Sequence, residues 1–388
     1  MKDKFLFLAD FHVKARTWTN NTQIRGDSYA AMQKIGDYAE TNQLDTLVIG
    51  GDFFDSNRPT PEDLVQTVDF LSRFKQVYYI RGNHDSCDPS YLESVSRILG
   101  TKNFVTLLNS QLIHLGYGSY LTGISWMPSK EEYRKTVQDL LQYFRENHPG
   151  KTLYLVLHTS FQHLLSFEGA YTFDQHEVNK WCSGIKVVLL VGDVHVRDTT
   201  ESGTYTNKLE ELGHTTFHSP GSVYPLQFND ADNAKYVTVI DLSPSISDNR
   251  ERISGVPVEV RKYASFRYSG DVDMLKGWLD SMSKEKQETP GLLPTYARAI
   301  VDTGTEVPRI NMSDYPDLVI QIQLEADEFD AGHAVDTADG AYTLEQAIND
   351  EFPDPDVAEI ANRLVASADP ADDLRKYLEL WQVERVMK

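Results

Sequence analysis

The chain has 388 residues, 40% of them apolar and 11% aromatic, with a formal net charge of -21 and two cysteines. It can bury a large core, and length over about 150 predicts two to three domains. Cys87 and Cys182 cannot build a disulfide framework and read as reduced thiols, which excludes a small disulfide-framed scaffold. The apolar runs are strand-sized, and the start reaches Asp10 too soon for a signal peptide or a membrane span, so a cytoplasmic protein with no membrane partner is expected. Acidity counts against a nucleic-acid partner, since phosphate binding is driven by Lys and Arg. From Ile310 to Lys388, however, there are 19 Asp plus Glu against 5 Lys plus Arg, so this tail carries -14 and everything before it -7. The excess reads as a solvated or partner-facing surface of the last fifth.

In chain order, residues 5–9 predict a buried strand that ends in Asp10-Phe11-His12, and the polar stretch from Lys14 to Asn21 predicts a loop. Ser28 to about Glu40 reads as a helix with Ala31, Ile35, Tyr38 and Ala39 on one face. Strand Thr46–Ile49 ends in Gly50-Gly51-Asp52. Thr60 then caps a helix with Pro61 at its first position and Asp63 at its third, its buried stripe expected at Leu64, Val65, Val68 and Leu71. Val77–Ile80 closes a second βαβ unit and stops at Arg81-Gly82-Asn83-His84-Asp85, where Gly82 permits a sharp turn. Such repetition predicts a right-handed parallel sheet.

Tyr91–Leu99 predicts another helix, and region 104–126 shorter strands with turns. Ser129 and Glu132 form a capping box that opens a helix to about Asn147, with Tyr133, Val137, Leu140, Leu141 and Phe144 inward. Strand Leu153–Leu157 runs into His158, and Val187–Val191 into Gly192-Asp193-Val194-His195. Short strands follow at Thr215–His218 and Tyr236–Asp241, with Pro220-Gly221-Ser222 turning between them. From about Val256 a small α+β unit is expected: a strand over 256–267, a helix near Asp271–Met282, a break at 290–294, and strands Tyr296–Val301 and Leu318–Leu324. The predicted organisation is therefore 1–250, an α+β cap at 256–326, a low-complexity linker at 327–341, and a helical segment at 342–388 with caps at Thr343, Asp354 and Asp369.

An Asp, Asn or His thus stands at the end of almost every apolar run in the first half. Sites in α/β sheets lie outside the carboxyl ends of the strands, so these residues should converge. Asp10, His12, Asp52, Asn83, His158, Asp193 and His195 offer the oxygen and imidazole donors that hold two divalent cations sharing one carboxylate. Such a pair acidifies water at neutral pH and clamps a phosphoryl oxygen during in-line displacement. His84 is left free as the acid for the leaving oxygen. Lys14, Arg16, Arg58 and Arg81 are candidates for phosphate contact. His163, His176, His214 and His218 read as surface or core histidines, with His218 able to border the site from the Pro-Gly-Ser turn.

Taken together, Asp10-Phe11-His12, Gly51-Asp52, Gly82-Asn83-His84-Asp85, a lone His158 after a strand and Gly192-Asp193-Val194-His195 resemble the five ordered motifs of the calcineurin-like metallophosphoesterases. Within that superfamily, Gly51-Asp52-Phe53-Phe54-Asp55-Ser56-Asn57-Arg58-Pro59 and Ser219-Pro220-Gly221-Ser222 resemble the DNA double-strand-break repair nucleases of the SbcD type. The resemblance implies an α/β metallophosphoesterase β-sandwich flanked by helices, with the α+β cap and the C-terminal helices matching in layout alone. It implies a first metal on Asp10, His12, Asp52 and His195, a second on Asp52, Asn83, His158 and the position of Asp193, and catalytic roles for His84 and Asp85. Asp193 departs from the family's Gly-His-x-His pattern, and the added carboxylate favours hard cations, Mn²⁺ first and Mg²⁺ second. Gly213-His214 is a poorer match to that motif, because Thr216 stands where the second His belongs.

The resemblance further implies Mn-dependent exonuclease and endonuclease activity on DNA in recombination and repair. Its implied partners are an SMC-like ABC ATPase of the SbcC type, docked through the C-terminal helices, and a second copy of the nuclease subunit. The expected setting is the cytoplasm of a bacterium, or of the host of a phage. Two other functions fit the residues: a small-molecule phosphodiesterase or phosphatase on the same fold, and a non-catalytic adaptor whose site has decayed at Asp193.

Overall fold

The computed structural model describes residues 3–18, 21–86, 90–99, 105–161, 173–195, 215–226, 234–243, 253–289 and 291–324. The expected linker 327–341 and helical segment 342–388, together with Cys87, His163 and His214, lie outside the described residues. The described residues belong to one compact unit, which ends at Leu324.

The chain runs β1 (Lys4–Leu8), β2 (Arg16–Trp18), β3 (Asn21–Arg25), α1 (Asp27–Thr41), β4 (Thr46–Gly50), α2 (Pro61–Ser72), β5 (Gln76–Ile80) and α3 (Tyr91–Leu99). It continues through β6 (Val105–Leu107), β7 (Ile113–Gly116), β8 (Ser119–Ile124), α4 (Lys130–Asn147), β9 (Thr152–His158), α5 (Gln175–Trp181), β10 (Lys186–Gly192), β11 (Thr215–His218) and β12 (Tyr236–Asp241). Last come β13 (Ile253–Pro257), β14 (Arg261–Tyr268), α6 (Val272–Glu288), β15 (Leu293–Val301) and β16 (Leu318–Leu324).

Two sheets pack face to face. One has the order β13-β12-β1-β4-β5-β6 and the other β11-β10-β9-β8-β7. Strands β1, β4, β5 and β6 are mutually parallel, as are β8, β9, β10 and β11. Strand β1 shows why these runs are apolar without alternation. Phe5 and Phe7 face the second sheet in a cluster with Tyr154, Val156, Val188 and Leu190. Leu6 and Leu8 face the opposite way, into a layer with Ile35 and Leu71 of α1 and α2. Both faces are covered, so both must be apolar. On the far side, Tyr133, Val137, Leu140, Leu141 and Phe144 of α4 pack onto Leu155, Leu157 and Leu189, the inward set expected from its periodicity.

The sequence expectations differ from the structure in three places. The stretch expected as a loop from Lys14 contains the hairpin β2–β3, with Arg16 paired to Arg25, because Trp18 and Ile24 find apolar partners in Tyr296 that local sequence does not show. Of the expected stripe of α2, Leu71 is buried and Leu64 and Val68 pack against the core, but Val65 is 57% exposed; Phe70 is buried in its place, and Asp63 is turned in to complete the capping box with Thr60. The strand expected over 256–267 is two strands. β13 pairs antiparallel with β12 in the first sheet, while β14 joins β15 and β16 in a parallel sheet of three. The passage between the two sheets therefore falls between Pro257 and Arg261.

Candidate metal centre

The loops that leave β1, β4, β5, β9 and β10 meet at the carboxyl ends of both sheets. Backbone bonds stitch them together: Asp10 N–H donates to the Gly51 carbonyl (3.2 Å), His12 N–H to Asp52 (3.0 Å), Val13 N–H to Phe53 (2.8 Å), and Thr159 N–H to Gly192 (3.1 Å). The turns are tight enough that Asp10, His12, Asp52 and Asp193 adopt φ of 50°, 48°, 46° and 96°. Non-glycine residues hold this left-handed region at a cost of about 1–3 kcal/mol each, which is typical where a site over-determines its backbone. Glycine is required at two approaches. A Cβ on Gly82 would lie 2.0 Å from Asp52 Oδ1, and one on Gly51, whose φ is +91°, would lie 2.4 Å from His158 Nδ1.

Three groups of donor atoms lie within 4.8 Å of one another among the described residues: Asp10, His12 and His195; His12, Asp52 and His84; and Asp10, Asp52 and His158. Asp52 stands between two imidazoles, with Oδ2 3.2 Å from His158 Nε2 and 3.8 Å from His12 Nε2. Asn83 Oδ1 is 3.1 Å from His158 Nε2. Asp193 reaches the same nitrogen at 3.8 Å through Oδ1, while its Oδ2 accepts from the Ser160 hydroxyl. Its N–H donates to both oxygens of Asp10, at 2.9 and 3.0 Å. All seven predicted donors thus gather in one cluster, with Asp193 at its margin.

The imidazoles are set for ligation from behind. His158 Nδ1–H donates to the Gly50 carbonyl (2.9 Å), which leaves Nε2 facing Asp52 and Asn83; a ligand histidine is normally oriented by such a bond on its other nitrogen. Tyr133 brackets the same residue, its hydroxyl accepting from His158 N–H and donating to the His158 carbonyl. Neither ring nitrogen of buried His12 has a hydrogen bond of good geometry, though Nδ1 stands 3.3 Å from Asp55 Oδ1. The His195 carbonyl accepts from Ser222 N–H (3.0 Å) and from the buried Lys235 ammonium (3.3 Å).

The buried charges of the cluster shift one another strongly. Burial pushes the Asp10 carboxyl up to about 8, with His158 opposing and the charges of Asp52 and Asp193 adding to the rise. Burial works against protonated His158, but Asp52, Asp10 and Asp193 outweigh it and raise the ring to about 10. For Asp52, burial is overcome by His158, by His12 and by the His84 N–H, which hold the carboxylate well below its usual range. Burial and neighbouring His12 push His195 down to about 3, so it presents a neutral ring. Carboxylates and imidazoles buried this close together repel or hold protons unless a cation sits among them, and the donors fit divalent ions in number and in type.

His84 is exposed beside this cluster, its ring centroid 4.9 Å from that of His12. Its Nδ1–H donates to the Asp55 carbonyl (2.8 Å) and its backbone N–H to Asp52 Oδ1 (2.9 Å), so Nε2 is the nitrogen left to face a substrate. Asp85 is placed differently. Its buried carboxylate accepts from Gly82 N–H (2.6 Å) and Phe53 N–H (2.8 Å), which ties the loop after β5 to the loop after β4 and makes it a positioning group. The predicted phosphate contacts do not converge. Arg81 pairs with Glu93 of α3 (3.3 Å), Lys14 with Asp55 (2.8 Å), and Arg16 and Arg58 are exposed on separate segments. His218 lies buried between the sheets, Nε2 bonded to Thr238 Oγ1 (2.6 Å) and its ring packed on Phe7. Sequence reading missed the supporting roles of Asp55, Tyr133, Ser160 and Lys235, and of Tyr224, whose buried hydroxyl donates to the His12 carbonyl. Asp55 was visible inside the Gly51–Pro59 stretch; the others are brought near by tertiary packing and left no local signal.

Comparison with known proteins follows the same lines. The chain is 38% identical over 87 residues to the DNA double-strand break repair protein Mre11 of Methanosarcina acetivorans, covering 21% of this chain and 14% of that protein. It is 24% identical over 198 residues to the protein of the same name from Saccharolobus solfataricus, covering 50% of each. The chain thus spans half or less of the length of these relatives. A crystal structure of a dimetal phosphatase from Danio rerio aligns with a TM-score of 0.42 and 11% identity, over 66% of this chain and 99% of that one. The model of the calcineurin-like phosphoesterases matches residues 3–197, a span of half the chain that includes every loop of the cluster, and the chain belongs to that family.

Proposed function

We propose that this chain is a two-metal phosphodiesterase that cuts DNA, with Mn²⁺ as the working cation and Mg²⁺ as a substitute. The observation that carries this reading is the sharing of Asp10 and Asp52 between neighbouring donor groups, since two cations with a common carboxylate suit in-line displacement at phosphorus. Asp10, His12, Asp52 and His195 would hold one ion, and Asp52, Asn83, His158 and Asp193 the other. When bound, the ions would supply Lewis acidity at the phosphoryl group and lower the pKa of water. The chain's own contribution is placement. Asp85 fixes the two loops that carry Asp52 and His84, and the Asp55 carbonyl fixes the His84 ring so that Nε2 can give a proton to the leaving oxygen.

DNA as substrate is supported by the names of the curated relatives and by the nuclease-type stretch from Gly51 to Pro59. In this reading the sheet β14-β15-β16 with α6 caps the site, an SMC-like ATPase binds the segment 342–388, and the nuclease subunit dimerises. No helix among the described residues is long and apolar enough to cross a membrane. The test is digestion of end-labelled linear double-stranded DNA with Mn²⁺, with and without the ATPase. His84→Ser should lower the rate by about 10²–10⁴-fold with Mn²⁺ binding retained. Intact DNA beside hydrolysis of a small phosphodiester would reject the nuclease reading and leave the phosphodiesterase.

A further inference from the structure

Outside the cluster, the first half of the unit and the sheet that starts at Arg261 are fastened by a buried ion pair. Asp27, the first residue of α1, is fully buried, and its carboxylate accepts from Arg261 Nε (3.0 Å), Arg261 Nη2 (3.0 Å), the Tyr263 hydroxyl (2.7 Å) and the Thr17 hydroxyl (2.7 Å). Arg261 also donates to the carbonyls of Arg25 and Pro294. Beside it Trp18 packs against Tyr263 and Tyr296, with ring centroids 5.3 and 5.0 Å away.

Two ties lead from this seam to His12. Ser28, next to Asp27, accepts from Lys14 N–H (3.3 Å) and donates to the Lys14 carbonyl (2.7 Å), two residues past His12. Trp18 Nε1–H donates to the Pro225 carbonyl (3.1 Å), and the adjoining Tyr224 hydroxyl, fully buried, donates to the His12 carbonyl. His12 holds a φ of 48°, a conformation that persists where its surroundings over-determine it. These ties are what pins it from the side away from the cations.

We propose that the Asp27–Arg261 seam, acting through Trp18 and Tyr224, positions His12 and thereby sets the affinity for the cation held by Asp10, His12 and His195. The other cation, at Asp52, Asn83, His158 and Asp193, is reached from this seam one step later, through the His12 N–H bond to the Asp52 carbonyl, and keeps most of its affinity. This rests on the two-cation reading above. Arg261, Asp27, Trp18 and Tyr224 are positioning residues, and buried ion pairs have their best-attested use in fixing one arrangement over its alternatives.

The experiment is a titration of the full chain with Mn²⁺, following free Mn²⁺ by its electron paramagnetic resonance signal, for wild type, Arg261→Gln and Trp18→Phe. Thermal unfolding of each metal-free protein is measured alongside. Wild type should bind two ions; both variants should lose about tenfold in affinity at one site and stay within about twofold at the other, the size expected for a supporting partner of a ligand. A general loss of stability would instead weaken both sites together with a fall in Tm. If Arg261→Gln does not fold, Trp18→Phe decides, because it keeps a ring in the seam and removes the Nε1 donor. Equal weakening of both sites, or no change, in folded Trp18→Phe overturns the proposal. A wild type that binds no Mn²⁺ removes the two-cation reading and this inference with it.

Discussion

Asp10 and Asp27 are both 0% exposed, and both sit where a β-structure hands over to the next segment, yet their surroundings are opposite. Asp27 meets a guanidinium on two sides and two hydroxyls. Its charge is answered inside the chain. Among the described residues, the oxygens of Asp10 accept from the backbone N–H of Asp193, and His158 is opposed there by two further carboxylates, Asp52 and Asp193. An isolated buried charge is costly unless it is paired or coordinates a metal. The two residues therefore show how a structural carboxylate and a ligand carboxylate differ: the first brings its counter-ion in the sequence, and the second leaves room for one from solution.

The sharpest way to break this comparison is to neutralise each in turn. Asp27→Asn leaves Arg261 buried without its counter-charge and should cost about 3–5 kcal/mol of stability, whether or not metal is present. Without metal, burial already keeps the Asp10 carboxyl mostly protonated at neutral pH, so Asp10→Asn should leave metal-free stability nearly unchanged while losing the rise in Tm that Mn²⁺ gives wild type. Thermal unfolding with Mn²⁺ or with EDTA reads both, and equal destabilisation by the two substitutions would abolish the distinction.

A smaller effect is expected from pH. The folded-state values of Asp10, about 8, and His158, about 10, lie above their unfolded values, so the metal-free folded state binds more protons than the unfolded chain. Both groups bind protons more tightly in the folded state, and between pH ~6.5 and ~8 their two contributions together should lower metal-free stability by about 2 kcal/mol per pH unit. The same protons compete with cations, so Mn²⁺ affinity should rise over that window with proton release. Calorimetry in buffers of different ionisation enthalpy measures the release; none at all would mean that protons do not stand in for the ions. The smallest effect belongs to Val65, whose residue type suggests core and whose position is 57% exposed. Val65→Ser should shift the denaturation midpoint by less than about 0.5 kcal/mol equivalent, as for an ordinary surface change.

Much of the site was legible before the fold because its residues recur at strand ends. Asp10, Asp52, Asn83, His158 and Asp193 each follow an apolar run, and parallel strands carry their carboxyl ends to one edge. The helices of the first half were legible from caps and periodicity, Thr60 with Asp63 and the inward face of α4 among them. Elements whose reason lies far away in the chain were not. The hairpin β2–β3 exists because Trp18 meets tyrosines more than 240 residues later, and β13 belongs to the first sheet because β12 offers it an edge. The arginines expected to contact phosphate were chosen by charge, and charge says nothing of partners; Arg81 is held by Glu93.

Donor chemistry is written into residue identity and spacing. A run of β-formers followed by Asp, Asn or His states which atoms can hold a cation and roughly where they will be, since both follow from local propensity. Which of those groups is a ligand and which a brace depends on distances between segments. Asp85 and Asp52 look alike in the string, but the folded chain spends both oxygens of Asp85 on Gly82 and Phe53 N–H groups and sets Asp52 between His12 and His158. The tautomers of His84 and His158 were settled by carbonyls at Asp55 and Gly50. Hydrogen bonds act over a few ångströms of space, and only packing brings such groups within that reach.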